Sequence, residues 1–72
     1  MIVDYFSNKE AWDEMADPEK IETFSFGMGP DVHFVFCTLH PKGGEEIVFT
    51  DVPISLFFAF EAKWKDLHGK TL

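Results

Sequence analysis

The order of hydrophobic and polar positions divides the chain into helical and alternating stretches. In residues 7–22, Ala11, Trp12, Met15 and Ala16 recur at helical spacing and predict one buried stripe. Ser7 stands at the N-cap position with Glu10 three residues on, the S-x-x-E capping box, and Phe6 and Ala11 occupy the staple positions around it. Pro18 ends or kinks this helix, and Asp17-Pro18 is suited to cap a second short turn through Glu19, Lys20 and Ile21. Residues 1–6 read as a short strand or an ordered arm.

From Thr23 the period becomes two. Phe24, Phe26 and Met28 fall on one side and Thr23, Ser25 and Gly27 on the other, which predicts a half-buried strand. Gly29-Pro30-Asp31 is turn chemistry. Residues 32–39 are apolar on both faces, with Val32, Phe34 and Phe36 opposing Val35, Cys37 and Leu39, as in a central strand. Pro41-Lys42-Gly43-Gly44 makes a second turn whose glycines can take positive φ, and residues 46–50 complete a meander. Thr50 or Asp51 then caps a last helix with Pro53 in its first turn. Its core stripe is Leu56, Phe57, Phe60, Trp64 and Leu67, with Gly69 just past its end. Lys63, Lys65 and Lys70 suit the negative pole of that helix. Phe58 lies off the stripe, beside Ser55, Ala62 and Lys65.

The expected architecture is α+β in the order α-β-β-β-α. A three-stranded antiparallel sheet carries two helices on one face, and the first residues are candidates for a further strand. With 72 residues this is a single domain, and a chain of that size buries only about 60–65% of its unfolded surface. Nine Phe, two Trp and one Tyr supply the density such a core needs. One cysteine rules out an internal disulfide and is consistent with a reducing compartment. The N-terminus lacks the basic residues and apolar run of a secretory signal, so a cytoplasmic location is expected. No apolar run approaches bilayer length.

Charge changes the picture most. The formal net charge is −7 and every basic side chain is lysine, which argues against direct binding to nucleic acid or to an anionic membrane. The load is uneven: residues 1–36 carry eight carboxylates and two lysines, net −6, while residues 37–72 carry five and four, net −1. Asp13, Glu14 and Asp17 lie off the buried stripe of the first helix, with Glu19 and Glu22 beyond it. Carboxylates spread on a rigid surface can imitate a phosphate backbone and occupy a basic groove. Asp31, Glu45 and Glu46 are candidate extensions of that surface. Phe58, if exposed, adds an apolar anchor within a charged rim. Packing under the N-terminal arm and a dimer contact are its other readings.

Other chemistries find weaker support. His33, Cys37 and His40 superficially resemble a metal-ligand spacing, but strand parity sets His40 against the other two and no second cysteine is present. Cys37 within an apolar run reads as inert packing. The carboxylate sets Asp13/Glu14/Asp17 and Glu45/Glu46 look exposed, unlike the environment an acid–base pair requires. The glycines lack the strand-to-helix context of a phosphate loop. No enzyme activity, cofactor or metal is expected.

The length, the charge, the acidic stretch SNKEAWDEMADPEKIE and the α+β order together resemble a class of proteins. These are the small acidic anti-defence proteins of phages and mobile elements, anti-CRISPR DNA mimics in particular. The resemblance spans the whole chain and rests on no diagnostic motif. It implies a monomer or weak homodimer that inhibits a host complex, for instance a CRISPR surveillance complex, by filling its nucleic-acid site. The competing expectation is an antitoxin, immunity-type or accessory-subunit module bound mainly through apolar surface.

Overall fold

The alternating stretches pair into a sheet of four strands, one more than the three-stranded meander expected from periodicity. The computed structural model describes residues 1–69. The strands are β1 (Ile2–Asp4), β2 (Ile21–Met28), β3 (Phe34–Pro41) and β4 (Ile47–Pro53), and the helices are α1 (Lys9–Met15) and α2 (Ile54–His68). The sheet order is β1-β4-β3-β2. β2–β3 and β3–β4 are antiparallel, and β1 lies parallel to β4. The fold is therefore α+β, with the N-terminal arm recruited as an edge strand. Its backbone explains the recruitment: the Met1 amino group donates to the Glu46 carbonyl at 2.9 Å, and the Val48 N–H donates to the Met1 carbonyl at 2.7 Å.

The capping box is not formed. Asp4 caps a short 3-10 turn at Tyr5–Ser7, accepting the Phe6 N–H at 3.3 Å and the Ser7 hydroxyl at 2.8 Å. With Ser7 engaged on Asp4, α1 starts later, behind an Asn8 that makes no side-chain cap. Helix α1 ends at Met15, before Pro18. Its stripe is as expected: Trp12 is buried, and Ala11, Met15 and Ala16 pack against the core. The Trp12 ring meets Phe49 and Phe60 edge to face at 5.2 and 6.0 Å, which pins α1 over β4 and beside α2.

Ile21, read from sequence as part of a polar turn, is fully buried and opens β2. An irregularity at Glu22, where the register with β3 shifts, interrupts the alternation and hides Ile21 from periodicity. In β3 only the face of Val35, Cys37 and Leu39 is covered, so the expectation of a strand buried on both sides fails. Both helices lie over that one face, and Phe36 and His40 are left in solvent. Val32 lies outside the strand and is exposed.

β4 carries a bulge after Phe49, with Asp51 at φ 55°, and runs on to Pro53. Neither Thr50 nor Asp51 caps α2. Pro53 occupies the cap position, and the Ile54 N–H is satisfied by the His33 carbonyl at 2.9 Å. Phe57 and Phe60 are buried, while Leu67 of the expected stripe is exposed because the sheet beneath it has ended. Gly69 lies just past the end of the helix, at the C-cap with φ −99°, its N–H donating to the Lys65 carbonyl. Lys70 lies outside the described residues. Gly43 does take the positive φ (67°) expected of the hairpin between β3 and β4.

The core is dominated by rings. Phe24 meets Phe57, Phe60 and Trp64 edge to face at 5.7, 5.3 and 5.1 Å, contacts worth roughly 0.5–1.5 kcal/mol each beyond their burial. The Trp64 indole donates to the Ile21 carbonyl at 2.8 Å, tying the last turns of α2 to the start of β2.

Candidate functional site

The topology sorts the carboxylates by position. Helices α1 and α2 both descend from the end of the sheet where β4 finishes. The chain reverses through residues 16–20 at the opposite end, where the hairpin 42–46 also lies. The Lys42 N–H, bonded to the Lys20 carbonyl at 2.9 Å, joins these two loops. Asp13 and Glu14 are exposed on α1, and Glu19 and Glu22 are exposed beyond it. Glu45 and Glu46 share the end of the molecule that holds Asp17 and Glu19. Asp31 sits at the other end, in the β2–β3 turn beside Asp51, and is not brought together with the rest.

These acids differ in what they already hold. Asp17 is half-buried and accepts the Glu19 N–H at 3.0 Å, so it fixes the turn after α1. Asp31 likewise accepts the His33 N–H at 2.9 Å. Glu45 faces the N-terminal amino group at 3.8 Å and Glu46 faces His40 at 3.9 Å. Among the described residues, Asp13, Glu14, Glu19 and Glu22 form no ion pair, which leaves them the more available charges.

An open groove of about 360 Å³ runs between α1 and α2. Trp12, Leu56 and Phe60 form its apolar floor, and Asp13, Asp17 and Lys63 stand at its mouth. It continues past Pro18 toward Glu19, Asp66 and Leu67. The groove offers apolar contact ringed by mostly negative charge, without the enclosed convergent polar groups that chemistry on a small substrate requires. Sequence reasoning placed Asp13 and Asp17 off the buried stripe but did not find Lys63 or Leu56 as their neighbours, since that pairing depends on how two distant helices cross.

The remaining candidates resolve individually. Cys37 is buried on the covered face of β3, and burial pushes its thiol up to about 12. His40 lies on the open face, and His33 precedes the strand. Among the described residues, no three His, Cys, Asp or Glu side chains gather to hold a metal ion. Phe58 is 51% exposed, touching the Phe57 ring at 6.1 Å, so packing beneath the N-terminal arm does not occur. Phe26 and Met28, assigned by alternation to the buried side of β2, are 47% and 51% exposed. Alternation identifies the face but cannot say how far along it the helices reach.

No family model matches the chain, and neither curated proteins nor solved structures provide a match. Among the described residues, no helix is long and apolar enough to cross a membrane.

Proposed function

We propose that the protein is a non-enzymatic inhibitor whose acidic surface occupies a basic nucleic-acid-binding site on a host defence complex, in the manner of an anti-CRISPR DNA mimic. The observation that carries this reading is the unpaired acidity of α1 and the turn beyond it, Asp13, Glu14 and Glu19. Asp17 and Glu22 extend it, and Glu45 and Glu46 add charge at the same end of the molecule. A Lys/Arg-lined groove would be steered to this surface, and salt would weaken the complex steeply.

The test reverses Asp13, Glu14 and Glu19 to Lys. Asp17 is spared because its carboxylate holds a backbone N–H. Competition with duplex DNA for purified CRISPR surveillance complexes is then measured at low and physiological salt. The reading expects loss of competition in the triple variant and a steep salt dependence in the unaltered protein. Competition that survives the reversal unchanged refutes it.

The exposed rings of Phe58 and Phe26 favour a second reading, an antitoxin-like or accessory module bound through apolar surface. Such binding would be nearly indifferent to salt and sensitive to Phe58→Ser.

A further inference from the structure

The outer edge of β2 differs from the rest of the surface. β2 is the terminal strand of the sheet. The Trp64 indole covers the Ile21 carbonyl at its start, and no described strand lies along residues 22–28. Such an edge offers a row of backbone donors and acceptors to another strand, and natural proteins usually guard it with Lys, Pro or brevity. The opposite edge, β1, is guarded in that way, being three residues long. β2 has eight residues, no Lys and no Pro, and its one charge is Glu22 near its start. Above this edge, on the helix side, the exposed Phe26 and Phe58 rings flank the buried Phe57 at 4.5 and 6.1 Å, and Met28 continues the apolar strip.

We propose that β2 pairs antiparallel with β2 of a second copy of this chain, about a two-fold axis at Ser25, so that two four-stranded sheets become one. The strand is complementary to itself in this register. Phe24 of one copy faces Phe26 of the other on the covered side, and Thr23 faces Gly27 on the open side. Glu22 falls opposite Met28, so the two Glu22 carboxylates lie at opposite ends of the seam, about 20 Å apart. The acids of α1 lie across α2 from this edge, because the flank of α2 that meets α1 carries Leu56, Ala59 and Lys63. On the β2 side α2 presents Phe58 and the Glu61–Lys65 pair, which is charge-balanced at 3.7 Å. A chain of net charge −7 can therefore meet itself here without opposing the acids of α1, and Glu22, the one carboxylate of β2, faces Met28 rather than its own copy. The ladder and its three apolar side chains would bury roughly 500 Å² per copy, below the roughly 800 Å² of a standard stable interface, so the dimer is a weak one.

Sedimentation equilibrium from about 5 to about 500 µM reads the association directly. The expected result is a concentration-dependent dimer that persists at about 0.5 M salt, where screening relieves residual self-repulsion. Ser25→Lys sets two ammonium groups against each other on the axis and weakens the dimer at least tenfold. Ser25 is exposed, and circular dichroism checks that this variant folds. Ser25→Cys cross-links to a covalent dimer under mild oxidation, whereas Thr23→Cys, which faces Gly27, does not. A chain that stays monomeric throughout overturns the proposal, as does a dimer that Ser25→Lys leaves intact and Ser25→Cys fails to link. These readouts use no host partner, so they stand or fall separately from the acidic-surface reading.

Discussion

Trp64→Phe tests the joint on which the helix layer hangs. The substitution keeps a ring beside Phe24 and His68 but removes the indole N–H that reaches the Ile21 carbonyl at 2.8 Å. Leaving a partly buried carbonyl without its donor costs about 1–2 kcal/mol, and the smaller ring adds several tenths more. At about 0.05–0.15 kcal/mol per residue, a chain of 72 residues is stable by roughly 4–11 kcal/mol. A loss near 2 kcal/mol is thus a substantial share of the whole, and should lower the melting temperature by roughly 8–16 °C. Urea unfolding followed by tryptophan fluorescence measures it, because Trp12, buried against Phe49, remains as reporter. A loss under about 0.5 kcal/mol would refute the reasoning. It would mean that ring packing alone holds the end of α2 to β2.

Two further outcomes follow from the core. Phe57 is fully buried and touches Phe24, Phe26 and Phe58, so Phe57→Ala should cost about 3–5 kcal/mol. That is enough to abolish cooperative melting near the lower bound of stability, while Phe57→Leu retains a cooperative transition. The Cys37 thiol is held neutral by burial, at about 12 against an ordinary 9.0. Above pH 9 the unfolded chain releases this proton and the folded chain keeps it. The thiol's contribution is therefore complete below pH 9 and declines by about 1.4 kcal/mol per pH unit toward pH 12. Cys37→Ala should remove this slope from urea midpoints measured across that window, and the native thiol should react with Ellman's reagent only as fast as the chain opens.

What sequence revealed, and what it hid, follows from the range of the interactions involved. The stripe of α1, the aromatic face of α2 and the Gly43 turn are local patterns and were legible. The start of α1 was not, because Ser7 had two partners to choose from and Asp4 took its hydroxyl. Ile21 was masked by the irregularity at Glu22. The cap of α2 was unreadable for a similar reason, since its donor is met by the His33 carbonyl from another segment. Of the candidate surface, residue type marked Asp13, Glu14 and Glu19 as exposed charges. The same information could not show that Asp17 and Asp31 are occupied with backbone N–H groups, or that Asp31 lies at the far end of the sheet.

A single helix layer over one sheet face also constrains where this chain can place its surfaces. The covered face receives the rings of Trp12, Phe24, Phe49, Phe57, Phe60 and Trp64, because among the described residues the other face of the sheet has no second layer, and Phe34 and Phe36 are the rings that β3 turns toward it. Two helices do not span four strands completely. α1 is only seven residues long, and its Trp12 is committed to Phe49 and Phe60 near β4. Cover therefore runs out toward the end of β2, leaving Phe26 and Met28 half in solvent. The charge follows the opposite course, since the solvent side of a short helix tied down by one tryptophan costs little to make acidic. Acidic and apolar surfaces consequently separate to the two sides of α2. That separation leaves the acids of α1 on one side of α2 and, on the other, the exposed rings of Phe26 and Phe58 beside an edge strand whose one charge is Glu22.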